Sequence, residues 1–129
     1  MNTYSTETTK SRDEAVKAIE AALQEAKFGV LWNFDLSAKL EEKGVQPPAP
    51  YTVLEVCNPS IAANVLSANL LAGAFLPCKI VVFEEAGLTK IAMPLPTKLM
   101  EDFGDKTILA TAKEVEQQLI SCIDQAAAV

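Results

Sequence analysis

The chain has 129 residues, of which 50% are hydrophobic and 22% charged; 17 acidic residues against 11 basic ones give a net charge of -6. That length suits one domain, 1–129, with a core that needs no staples, and an acidic chain without a basic cluster speaks against nucleic acid and anionic membranes as partners. Histidine is absent, which excludes Ser-His-Asp and Cys-His catalysis and histidine metal sites; no P-loop or dinucleotide fingerprint is present either.

Tyr4 to Lys10 is Thr-rich and alternating, which predicts a solvent-facing or edge strand. Ser11-Arg12-Asp13-Glu14 matches a capping box. Val16, Ile19, Leu23 and Ala26 then form one apolar helix stripe opposite Lys17, Glu20 and Glu25. Phe28-Gly29 ends that helix. From Phe28, the residues Val30, Trp32, Phe34 and Leu36 alternate with Leu31, Asn33 and Asp35, a strand with a period of two. Ser37 to Lys43 reads as a short helix closed by Gly44, and Pro47, Pro48 and Pro50 make a stiff connector.

Thr52 to Cys57 is a buried strand, and Asn58-Pro59 starts a helix: the Asn side chain accepts from an orphan N–H, and Pro loses no bond there. Gly73 and Pro77 end it, and Lys79 to Phe83 is a second apolar strand. No charged residue occurs from Val56 through Cys78. The interrupting Asn, Ser and Pro residues argue against a membrane span. A helix whose outer face holds only Asn and Ser points to a subunit interface, hence a homodimer; the competing reading is a neutral exposed face. Glu85-Ala86-Gly87 turns into a strand from Leu88 to Met93, Thr97 caps a brief helical segment, and the last helix runs from Asp105 to Asp124, with the final alanines frayed. The order predicts an α+β domain: a mixed sheet of about five strands with helices packed on it, a parallel crossover from Cys57 to Lys79 and an antiparallel last hairpin.

Val53-Leu54-Glu55-Val56-Cys57-Asn58-Pro59 followed by Leu76-Pro77-Cys78-Lys79-Ile80-Val81-Val82 resembles the bacterial and archaeal family called domain of unknown function 302. Phe28-Gly29-Val30 before Asp35, and Ala112 to Glu116, support the resemblance, which covers most of the chain. It implies a compact, dimeric α+β layer structure of the TT1751-like type and leaves the activity open. Many relatives carry Asp-Pro after the last strand, where this chain has Met93-Pro94-Leu95-Pro96.

Four residues are candidate ligand-binding positions: Cys57, Asn58, Asp35 and Cys78. Cys57 ends a strand beside a helix start, where the dipole favours a thiolate or an anion. The plainer reading makes both cysteines small buried hydrophobes. A parallel crossover would set Cys57 and Cys78 about 15 to 20 Å apart, too far for a disulfide. Asp35 and Asn58 are either helix caps or, on one sheet edge with Cys57, the lining of a pocket. No catalytic residue, metal or cofactor is assigned. Three cysteines in an odd set with no CxxC fit reduced thiols, and the amino terminus lacks a signal-peptide core, so a cytoplasmic protein is expected. Two functions compete: a homodimeric module binding a small molecule or a protein, and a thiol-dependent redox or sulfur-handling enzyme centred on Cys57; a third, a soft-metal carrier using thiolates, is weaker because no close cysteine pair is evident within one chain.

Overall fold

A computed structural model describes residues 2–129. Five strands form one sheet: β1 (Thr3–Thr8), β2 (Gly29–Asp35), β3 (Tyr51–Cys57), β4 (Cys78–Glu85) and β5 (Leu88–Pro94). Five helices accompany them: α1 (Arg12–Glu25), α2 (Leu36–Glu42), α3 (Pro59–Ala68), α4 (Pro96–Leu99) and α5 (Lys106–Ala127). Short 3-10 segments lie at Leu70–Phe75 and Glu101–Phe103. The α+β class, the five strands and the helices packed on them stand as expected.

The mixed sheet does not. Strand order is β1-β5-β4-β3-β2, and every neighbouring pair is antiparallel. The parallel crossover is therefore corrected to an out-and-back excursion. A connection of this length permits either topology. Helix α3 has only 10 residues, about 15 Å of travel. Asn69 then adopts extended backbone (φ -162, ψ 115), and its side chain accepts from Leu71 N to start the 3-10 segment. That segment packs back on α3, with Leu66 against Gly73. The chain thus returns to the sheet end it left, and only an antiparallel β4 can follow. Asn69, rather than Gly73 or Pro77, ends the helix.

Helices α1 and α5 cover one face of the sheet. Ile19, Leu23, Leu119 and Ile123 meet Leu54, Val56, Ile80, Val82, Ile91 and Met93 there. A smaller core lies beyond the sheet end, where Val65, Ala72, Met100, Ile108 and Ala112 join α3, the following 3-10 segment and α5. The other sheet face carries Tyr51 stacked on Phe83 (centroids 5.2 Å apart) and Trp32 stacked on Phe34 (4.7 Å). A β-bulge at Leu31 puts the second stack there. Val30 pairs with Val56, but Trp32 pairs with Glu55, so one extra residue enters β2. Val30 points to the helices, and Trp32 and Phe34 point away. A strict period of two cannot foresee that switch.

Local chemistry sets the element ends. Ser11 and Glu14 form the expected capping box. Helix α1 stops at Lys27, whose φ is 68, with Phe28 N bonded to Leu23 O (2.9 Å) and Lys27 N to Gln24 O (3.0 Å). Lys27, ahead of Gly29, thus takes the left-handed position of a Schellman ending. Ala86 (φ 54) and Gly87 (φ 81) give the left-handed pair that a tight hairpin turn requires. Two further expectations change. Thr97 is not a cap: its N–H and hydroxyl both donate to Glu116 on α5 (3.1 and 2.7 Å). Fraying is not seen at Ala126 and Ala127, which are buried in α5, with Lys10 Nζ donating to Ala126 O at 2.7 Å; the helix is capped only at Ala128.

A Lys27→Gly variant should be more stable than the parent by about 0.5–1 kcal/mol, since Gly occupies the left-handed region without a Cβ penalty. Urea unfolding checks this, and an unchanged or lower midpoint would count against the strain at that position.

Candidate functional site

Residues expected to lie apart come together, and residues expected together lie apart. In the β3–β4 register Val56 faces Cys78. Cys57 and Cys78 therefore sit at the same sheet end, on adjoining strands, with Cα atoms about 6 Å apart by standard strand spacing. The 15 to 20 Å separation is overturned by the antiparallel pairing. Both thiols are nevertheless free. The pleat accounts for that. Cys78 shares the helix-facing side with Val56, its partner, so Cys57 points to the opposite side.

Asp35 is at the far end. It pairs with Thr52 at the start of β3, whereas Gly29 pairs with Cys57. Neighbouring antiparallel strands end on opposite edges, so Asp35 cannot line a pocket with Cys57 and Asn58. Asp35 caps α2 instead, accepting from Ala38 N (2.9 Å) and Ser37 Oγ (2.5 Å), and pairs with Arg12 Nη1 at 3.2 Å. Partial burial pulls its carboxyl upward, but the bonds from Ser37 and Ala38 and the Arg12 guanidinium outweigh this and hold it below the ordinary carboxylate value. Arg12 also reaches Thr52 Oγ1 (3.2 Å), and its backbone N–H donates to Glu84 (3.2 Å), so this end is a polar clamp across β2, β3 and β4.

Asn58 is occupied locally. Its Oδ1 accepts from Ser60 N (3.0 Å) and Ile61 N (3.2 Å), and its Nδ2 donates to the carbonyl of Lys27 (3.3 Å). Ala62 N donates to the Asn58 carbonyl (2.9 Å), and Pro59 has no N–H. Every donor of the first α3 turn is accounted for within the chain. The helix start therefore offers Cys57 a dipole but no unbonded N–H.

The apolar end holds a cavity of about 630 Å³, of a size suited to a small organic ligand. It lies where the two cores meet, with Met93 and Leu119 from one and Met100 from the other. Ala74 to Lys79 form one wall, and Pro94, Pro96 and Leu99 another. Leu31, Trp32, Phe75 and Leu99 are large hydrophobic side chains left 38% to 65% exposed, and all four line it. The polar lining groups are Glu55, Lys79 and Cys78. Glu55 and Lys79 close on each other at 2.6 Å. Burial pushes the Cys78 thiol up to about 11, with smaller contributions from Cys57 and Glu55. Of the four sequence candidates only Cys78 lines the cavity. Trp32, Phe75, Met93, Leu99 and Met100 were not singled out from the sequence, although Trp32 is the sole tryptophan. Among the described residues no group of three or more His, Cys, Asp or Glu is arranged to hold a metal, and no helix is long and apolar enough to cross a membrane.

A family model described as "Domain of unknown function DUF302" matches residues 4–126. The chain belongs to that family. A solved relative is the "uncharacterized conserved protein DUF302 from Bacillus stearothermophilus", whose crystal structure superposes with a TM-score of 0.93. The two sequences are 43% identical, and the match covers 98% of each chain. No curated protein matches. Membership of DUF302 establishes the fold and carries no activity with it.

Two outcomes follow from these geometries. Asp35→Ala should cost about 1 kcal/mol at neutral pH through the lost cap. Because the folded-state carboxyl lies below its ordinary value of 3.8, its stabilisation is present above that value and fades as pH falls through the folded one. The gap between parent and variant in thermal unfolding should therefore narrow from pH 5 to pH 3; a constant gap would show that the charge contributes nothing. For Cys78, alkylation in a Cys57→Ser, Cys122→Ser background should be slow at pH 8, where only about 0.1% is thiolate, and should accelerate up to about pH 11. Fast reaction at pH 7 would contradict the buried neutral thiol.

Proposed function

We propose that the chain is a homodimeric small-molecule-binding module whose site is the apolar cavity beside Cys78. The cavity carries this reading: a space of about 630 Å³ around which partly exposed Leu31, Trp32, Phe75 and Leu99 converge. Apolar side chains scattered singly over a surface need no explanation, whereas a group lining one concavity marks a binding site. A cytoplasmic setting fits three free cysteines.

The dimer rests on the outer surface of α3 and the segment after it. Ser60, Ala63, Asn64 and Ser67 are exposed and uncharged, and Leu70 and Leu71 beside them are 81% and 74% exposed. Two copies that each carry a net charge of -6 meet with least repulsion where neither presents charge. The competing thiol-dependent enzyme centred on Cys57 draws support from its place ahead of α3, but Asn58 takes the α3 donors that would hold its thiolate.

Sedimentation equilibrium should give a dimer for the parent, and Leu70→Glu with Leu71→Glu should raise the dimer dissociation constant about tenfold or more, since like charges would face each other. A parent monomer overturns the dimer. Native mass spectrometry of protein purified without oxygen should reveal extra mass released on denaturation, and Leu99→Glu should abolish its retention. Extra mass retained by Leu99→Glu would move the ligand elsewhere.

A further inference from the structure

Resting on the small-molecule reading above, we propose that this cavity selects a neutral aromatic molecule and rejects charged ones. The walls and the charge distribution each bear on that choice.

The walls present aromatic rings braced from one side. Trp32 stacks on Phe34 with centroids 4.7 Å apart and planes 16° from parallel, and remains 54% exposed. Phe75 meets Phe103 edge-on at 5.6 Å and remains 41% exposed. Each ring is fixed by a partner yet keeps free surface, so stacking a ligand on it costs little side-chain entropy. Met93 and Met100 add thioethers, whose sulfur makes favourable contact with ring edges.

Charge disfavours the alternatives. Glu55 Oε1 and Lys79 Nζ are 2.6 Å apart and neutralise each other. A ligand carboxylate on Lys79 would lie beside Glu55, and a ligand ammonium on Glu55 would lie beside Lys79. Either arrangement sets a like charge against the pair and takes the ligand's own charge into an apolar space. The chain's net charge of -6 adds a general penalty for anions. The Cys78 thiol is neutral at ordinary pH and offers a weak S–H donor, which suits a neutral ring or carbonyl.

The test uses the full chain and its single tryptophan, Trp32, which lines the cavity. Phenylnaphthylamine and anilinonaphthalene sulfonate share one aromatic skeleton and differ by a sulfonate charge. The neutral probe should quench Trp32 emission saturably and bind roughly tenfold or more tightly than the sulfonate, the cost of an uncompensated charge in an apolar site. Leu99→Glu should weaken the neutral probe, and naphthol should displace it better than decanol does. Equal or tighter sulfonate binding, or better displacement by decanol, would overturn the ligand class while leaving the binding site standing. No Trp32 quenching by any probe would overturn the site itself. Binding that disappears as protein concentration drives self-association would assign the cavity to a second copy and overturn the proposal.

Discussion

The antiparallel pairing of β3 with β4 is the constraint on which the rest of this molecule depends. With Val56 opposite Cys78, the connection between them must leave and re-enter the sheet at one end. Helix α3 and the 3-10 segment after it are thereby stacked beyond that end, and they require a small core of their own around Val65, Ala72 and Ile108. The cavity is the seam between this second core and the main one. Had β3 and β4 been parallel, α3 would have lain along the sheet, and the seam would not exist.

The two sheet ends differ in the forces that close them. At the Asp35 end, the Arg12 guanidinium lies within reach of Asp13, Asp35 and Thr52, and the Arg12 backbone binds Glu84. Charge-assisted bonds to a half-buried guanidinium are directional, so that end is geometrically fixed. At the Cys78 end the lining is mostly apolar, and the one ion pair is turned inward on itself. Apolar contact is undirected and tolerates a space that a guest can fill. The bulge at Leu31 matters here, because it brings Trp32 to the cavity side.

Among the candidate residues, the sequence identified chemistry better than it identified place. Asn58 before Pro59 was legible as a cap, and Asp35 before Ser37 had capping as one of its two readings, because both roles are local and need only the next three residues. The grouping of these residues was not legible. Whether Cys57 neighbours Cys78 or Asp35 depends on strand direction, which a connection of this length leaves undecided. The cavity lining escaped sequence reading for a related reason. Leu31, Phe75 and Leu99 come from three distant stretches with no shared pattern, and each looks alone like an ordinary core residue.

By itself the sequence determined several elements: the capping box at Ser11, the stripe of Ile19 and Leu23, the buried strand from Thr52 to Cys57, the Ala86-Gly87 turn, and a central stretch without charge. These follow from interactions spanning a few residues, where periodicity, caps and left-handed turns leave direct marks. Tertiary structure alone decided strand order and direction, the bulge that turned Trp32 and Phe34 outward, and Lys27 in place of a glycine at the end of α1. Those outcomes depend on contacts among residues far apart in the chain. There the packing of two cores overrides local preference, and no single segment carries the information.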